Sequence, residues 1–214
     1  MWGVDNITNS EWYNALKQRH GAELQRRFSA ASVAVCGLGG LGSNVAISLA
    51  RAGIGKLHLI DFDRVDISNL HRQQYAVSQL GMYKTEAMGQ ILSEISPYCE
   101  VAADTVRLNE DTLSLIADCT IVCECFDNAE CKAMLVNGVS ERYPDKYIVA
   151  ASGMSGLHTG NTIRTKRLGK RLYICGDGMS DVSDDGTLFA PRVMLCAAHQ
   201  ANTVLRIIAG EFEV

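Results

Sequence analysis

The stretch Val33-Ala34-Val35-Cys36-Gly37-Leu38-Gly39-Gly40-Leu41-Gly42-Ser43-Asn44 constrains this chain more than any other. A short β-branched run ends in a glycine loop, and an Ala/Ile/Leu pattern at helical spacing follows. That order predicts strand, tight turn and helix, with glycines at the offsets of G-x-G-x-x-G. Without Cβ atoms the backbone can approach a phosphate closely, and the first free N–H groups of the helix point toward it. Dehydrogenases, flavoproteins and several ATP users share such a loop, so the chemistry is decided by the charged residues brought to it.

The rhythm around this turn predicts an α/β fold: a Rossmann-like, doubly wound, mostly parallel sheet, extended by antiparallel strands near the C-terminus. Strands are expected at 32–36, 56–61, 100–108, 120–124 and 147–151. Helices are expected at 43–52, closed by Ala52-Gly53, at 83–95, stopped by Ser96-Pro97, from the N-cap Asn109 to 117, and at 129–143. Trp12, Leu16, Leu24 and Phe28 among polar residues suggest one or two amphipathic helices over 6–31. After Ser152 the pattern changes: 161–168 and 170–175 flank Gly169 as a hairpin, 176–191 reads as a mobile acidic loop, and a final helix runs from Arg192 to about 208, stopped by Gly210. The whole of 1–214 reads as one domain, with a helical segment at 1–31, a hairpin and crossover loop at 152–191 and a C-terminal helix at 192–209.

A formal charge of −4 gives no reason to expect nucleic acid as a partner. No run is long enough to span a bilayer, and the start MWGVDNITNSEWYN has no leader pattern, so a cytoplasmic protein is expected. The eight cysteines then read as reduced thiols, most of them within apolar runs (Cys36, Cys123, Cys196), and no C-x-x-C pair supports a zinc site.

In an open parallel sheet the ligand lies beyond the carboxyl ends of the strands. The glycine loop, Asp61 and Asp127 each follow a strand directly and share that edge. Asp61 stands about 20 residues after Gly37, where such folds place a ribose-binding acid, and is preferred over Asp63. Arg72 and Lys84 lie in the connection after the second strand and can fold over the same crevice. Lys84 opens a helix against the dipole, which suggests an anion nearby. Two cations and a metal-ready carboxylate suit a nucleotide whose phosphates are attacked. A nicotinamide- or flavin-dependent oxidoreductase, the alternative from the glycine loop and Asp61, has little use for them. His199 reads as a packed or interface histidine, and His71 faces either nucleotide or solvent.

The ordered set GLGGLGS (37–43), LIDFDRVDISNLHRQ (59–73), GMYK (81–84) and Asp127-Asn128 resembles the ThiF/MoeB group, relatives of ubiquitin-activating enzymes. The resemblance covers roughly 20–165. It implies adenylation of the C-terminal glycine of a small ubiquitin-like sulfur carrier with ATP and Mg²⁺, releasing pyrophosphate. Carried over, Gly37, Gly39, Gly40, Leu41 and Gly42 would cradle the nucleotide, and Asp61, with Asp63 beside it, would hold the ribose. Asn69, Arg72, Gln73 and Lys84 would orient and neutralise the triphosphate, and Asp127 next to Asn128 would bind Mg²⁺. The resemblance also implies a homodimer completed by an N-terminal arginine of the partner (Arg19 before Arg26), a carrier ending in Gly-Gly, and a sulfur donor protein. Larger relatives carry two zinc-binding C-x-x-C pairs and a crossover-loop cysteine that this chain lacks. Cys175, at the edge of that loop, is a surrogate or a core thiol. The short length and the ending resemble the compact form acting on ThiS in thiamine (thiazole) biosynthesis. Molybdopterin, cysteine and tRNA-modification pathways use the same chemistry.

Overall fold

The computed structural model describes residues 7–214; positions 1–6 of the expected N-terminal segment lie outside the described residues. The chain opens with two helices, α1 (Asn9–His20) and α2 (Ala22–Ala30), separated at Gly21, whose φ is +84°. Thr8 and Glu11 form a reciprocal capping box at the start of α1. Phe28 of α2 is buried in the core, and Leu24 packs against it.

Seven strands form one sheet: β1 (Ser32–Cys36), β2 (Lys56–Ile60), β3 (Glu100–Asp104), β4 (Ile121–Glu124), β5 (Tyr147–Ala151), β6 (Arg164–Leu168) and β7 (Leu172–Gly176), in the spatial order β3-β2-β1-β4-β5-β7-β6. The order reverses between β1 and β4, so their carboxyl ends diverge and leave a crevice. Helices α3 (Gly40–Arg51), α4 (Lys84–Ile95) and α5 (Ala129–Arg142) connect the parallel strands; a short α6 (Val182–Asp185) precedes the long α7 (Ala190–Ala209). Two cores result. Val33, Val35, Val45, Leu49, Met88 and Val204 fill one face beneath α3, α4 and α7, while Ala34, Cys36, Leu113, Leu135 and Val139 fill the other beneath α5. Strands β1 and β4 are buried on both faces, which is why they read as near-continuous apolar runs, broken in β4 by Glu124. Among the described residues no helix is long and apolar enough to cross a membrane.

Four expectations change. The strand predicted over 100–108 stops at Asp104, opposite Ile60, because its one neighbour β2 ends there; Thr105–Leu108 instead turns over the crevice. The helix predicted from Asn109 is a single 3₁₀ turn at Leu113–Ile116. Asn109 Oδ1 accepts the N–H groups of Asp111 and Thr112 (both 3.0 Å), closing a local turn that competes with helix propagation. Of the expected hairpin, only β6 is antiparallel to the rest; β7 pairs with β5 in parallel. The acidic loop 176–191 holds α6 and is anchored through Asp177, Asp181 and Asp185, and α7 starts at Ala190, before Arg192.

Candidate nucleotide cleft

The glycine loop closes tightly on itself. A Cβ on Gly42 would lie 1.8 Å from the Gly37 carbonyl oxygen, and one on Gly37 (φ +89°) would lie 2.9 Å from the Cys125 carbonyl oxygen. These two glycines therefore serve the packing of loop, helix and β4. Gly39 faces open space: its nearest neighbour there is the Gln73 side-chain nitrogen, 3.8 Å away. Gly39 is the position where the backbone is bare to the crevice.

Asp61, just past β2, is buried and ties that loop to its own. One carboxylate oxygen accepts the Leu38 N–H (2.5 Å), the other the Asp63 N–H (2.7 Å). Burial pushes its pKa up, and Lys84 and these N–H groups pull against that. Lys84, itself buried, donates to Asp63 Oδ2 at 2.8 Å. The anion expected beside this first-turn lysine is therefore supplied by the protein itself, with donors of the ammonium left over.

The segment 69–75 is strapped onto the glycine loop. The Asn69 carbonyl accepts the N–H groups of Arg72 and Gln73 (both 3.2 Å), the Gln74 amide donates to Asn44 Oδ1 (2.7 Å), and the Tyr75 hydroxyl donates to the Leu38 carbonyl (2.8 Å). Arg72 thereby packs over Gly40. It makes no ion pair among the described residues, and partial burial lowers its pKa, opposed by Asp127. Gln73 Oε1 is buried with no hydrogen-bond partner.

Across the crevice, β4 delivers Asp127 and Asn128. Asn128 caps α5 by accepting the Cys131 N–H (3.0 Å), and Asp127 is exposed with no ion-pair partner among the described residues. These elements enclose a cleft of about 440 Å³. Its lining includes Gly37, Gly39, Gly40 and Leu41, then Asp61, Asp63, Asn69, Arg72, Gln73 and Lys84, and finally Asp127 and Asn128. Gly42 lies behind it in the loop packing. Arg19 is exposed on the last turn of α1 and does not line it.

Several lining residues were not singled out from the sequence. Ile60, Phe62, Val106, Leu108 and Phe126 make one end apolar, with the Arg107 guanidinium 5.6 Å over the Phe62 ring. Ending the third strand opposite Ile60 is the signal that would have placed 105–108 there. Cys131, Lys132, Ser180 and Asp181 also line the cleft. Cys175 is fully buried, its thiol pKa raised by burial, and Cys196 is likewise buried and raised, so both are core thiols. His199 packs with Nδ1 3.0 Å from the Thr165 hydroxyl; His71 is exposed and does not line the cleft.

A bound triphosphate fits this donor set: a bare glycine, Arg72 and the spare donors of Lys84 converge on one crevice. Among the described residues no group of three or more His, Cys, Asp or Glu is arranged to cage a metal ion. A divalent ion held through Asp127 would therefore take its other ligands from phosphate and water, as Mg²⁺ commonly does.

A family model described as the ThiF family matches residues 13–214. The molybdopterin-synthase adenylyltransferase of Salmonella typhimurium is 31% identical over 194 residues, covering 87% of this chain and 76% of that protein. The adenylyltransferase and sulfurtransferase UBA4 of Candida glabrata is 32% identical over 195 residues, 88% of this chain but 45% of its own length, so this chain spans less than half of that relative. Among solved structures, E. coli tRNA N6-threonylcarbamoyladenosine dehydratase in complex with ATP superimposes with a TM-score of 0.83 over 97% of this chain and 98% of that one, at 21% identity, a likeness of fold. On the family match and the Salmonella relative together, the chain belongs to the ThiF family.

Proposed function

We propose that the cleft binds ATP and that the chain adenylates the C-terminal carboxylate of a small ubiquitin-like sulfur carrier ending in Gly-Gly. The observation that carries this reading is the convergence of Arg72, Lys84 and Asp127 on the glycine loop. An oxidoreductase reading accounts for the loop and Asp61 but leaves those three without work.

In this reading the apolar end formed by Phe62, Val106, Leu108 and Phe126 receives the base. Asp61, whose oxygens keep lone pairs beyond the two loop N–H bonds, accepts from the ribose hydroxyls. Gly39 and Gly40 lie along the phosphates, and Arg72 and Lys84 draw off their charge. The carrier's carboxylate attacks the α-phosphorus, the bond to the β-phosphate oxygen breaks, and pyrophosphate leaves an acyl adenylate behind. The nucleophile is already an anion, so positioning and charge neutralisation suffice without a general base. Bound Mg²⁺ would neutralise phosphate charge further, and Asp127 is the residue to hold it. Homodimerisation, with Arg19 of one copy serving the cleft of the other, belongs to the same proposal, as does a sulfur donor acting after adenylation.

The carrier class is ubiquitin-like. A ThiS-like carrier of thiazole formation is one member; the names of the relatives point instead to molybdopterin synthase and to sulfurtransferase pathways. Exchange of radiolabelled pyrophosphate into ATP, measured with each candidate carrier, tests the reaction and separates the carriers. Exchange unaffected by Asp127→Ala would remove the assigned metal role, and NAD(H) binding without ATP binding would return the oxidoreductase reading.

A further inference from the structure

Glu124 and Lys132 belong to none of the motifs above, yet Lys132 lines the cleft. Glu124 closes β4 with its carboxylate buried, the side chain 1% exposed. The Lys132 ammonium donates to both carboxylate oxygens (3.1 and 3.0 Å) and to the Ala151 carbonyl at the end of β5 (3.0 Å). An ammonium has three N–H donors. All three are spent on protein oxygens, and the pair carries no net charge. What looks like a third cation for the triphosphate is therefore unavailable to it.

The same carboxylate accepts the Phe126 N–H at 2.7 Å, which bends the chain immediately after the strand. Gln200, fully buried, donates its amide to the Glu124 carbonyl (2.9 Å) and the Val149 carbonyl (3.1 Å), pinning the backbone beneath that bend. Asp127 comes next, then Asn128 as the cap of α5, and Lys132 one turn later returns to Glu124. Residues 124–132 thus form a closed circuit in which Glu124 is buried and Asp127 is the exposed carboxylate that lines the cleft. Burial raises the Glu124 pKa, and Lys132 is the largest influence pulling it down again. Without Lys132 the carboxylate would be stranded in the core, and the bend held by it would loosen.

We infer that Lys132 is a positioning residue: it clamps the Glu124 carboxylate onto the Phe126 N–H, fixes the loop that presents Asp127 to the metal, and makes no contact with phosphate. This rests on the reading that the cleft takes ATP with a divalent ion.

The test is calorimetric binding of ATP to the full chain, in EDTA and across a Mg²⁺ titration, for Lys132→Met and for the double variant Glu124→Gln/Lys132→Met. Lys132→Met should raise the Mg²⁺ concentration needed for tight ATP binding by about tenfold, the usual effect of removing an outer-shell partner. ATP binding in EDTA should stay unchanged. The double variant should return close to wild type, because a neutral glutamine still accepts the Phe126 N–H and leaves no buried charge uncompensated. If Lys132→Met fails to fold, the double variant decides by itself, since it lacks the lysine but keeps the bend. ATP binding in EDTA that falls in both variants would overturn the inference and make Lys132 a phosphate ligand. A wild-type chain whose ATP binding ignores Mg²⁺ would overturn the metal reading as well, and that outcome is visible before any variant is made.

Discussion

Gly39 and Gly42 stand three residues apart in one loop, and the structure gives them opposite tasks. An alanine at Gly42 places Cβ 1.8 Å from the Gly37 carbonyl oxygen and 2.8 Å from its carbonyl carbon, both backbone atoms that cannot rotate away. Overpacking of this kind costs about 3 kcal/mol. In a protein of this size that lowers Tm by about 6–12 °C. An alanine at Gly39 meets only the Gln73 side-chain nitrogen at 3.8 Å, and φ is −72°, so no left-handed strain arises. The weaker N-cap and the reduced freedom of the unfolded chain each count for up to about 1 kcal/mol with opposite signs, leaving Tm nearly unchanged. Its methyl group, however, projects into the cleft, where the proposed function runs the phosphates. Losing one charge-assisted backbone hydrogen bond there costs about 1.5–3 kcal/mol, or roughly 10–100-fold in ATP affinity. Thermal melts with and without ATP, together with calorimetry, measure both quantities. Gly39→Ala that binds ATP like wild type, or Gly42→Ala that melts with wild type, would refute the assignment.

Three further outcomes are expected. Arg192, which pairs with Asp177 at 2.6 Å with both side chains buried, also donates to the carbonyls of His158 and Thr159; Arg192→Met should cost about 3–5 kcal/mol and open 177–191 to proteolysis. The His58 pKa is raised by hydrogen bonds to Cys119 and to Asp104 (2.6 Å), against burial. Its stabilisation is therefore full below 6.5 and lost as pH rises through the higher folded value, so the stability advantage of wild type over His58→Gln should shrink as pH is raised above 6.5; a constant difference would refute it. Alkylation of the native chain should label the half-buried Cys99 and Cys131 and spare Cys175 and Cys196, and Cys175→Ser should leave pyrophosphate exchange intact.

Where an element's identity depends on its own residues, the sequence was readable. The runs Val33–Cys36 and Ile121–Cys123 are apolar on both faces, as interior strands are. The glycine spacing from Gly37 to Gly42 reflects a contact within the loop itself. Strand ends are set by neighbours: nothing in Glu100–Leu108 marks Asp104 as the last residue that β2 can pair, and nothing in Leu172–Gly176 says that β5 lies beside it in parallel. The site divides the same way. Asp61, Arg72, Lys84 and Asp127 stand at strand ends or within the ordered motif set, whereas Lys132 is an ordinary helix lysine until β4 and β5 bring Glu124 and Ala151 to it.

The charges in the cleft carry that distinction into the chemistry. Four acidic side chains line it (Asp61, Asp63, Asp127, Asp181) against four basic ones (Arg72, Lys84, Arg107, Lys132), and they cancel. Two of the cations are already committed, Lys84 to Asp63 and Lys132 to Glu124. The lining therefore carries no excess of positive charge for a triphosphate, and Lys84 offers it spare donors rather than an unpaired cation. Arg72 and the spare donors of Lys84 draw off part of the charge of so highly charged an anion; the rest falls to hydrogen bonds at the glycine loop and to cations that this chain does not itself place in the cleft. A divalent ion on Asp127 is one such source, and an arginine from a second copy, the role the family resemblance implies for Arg19, is the other. In the adenylation reading both arrive with the substrate or the partner, so the cleft gains its positive character only once the reacting assembly is complete.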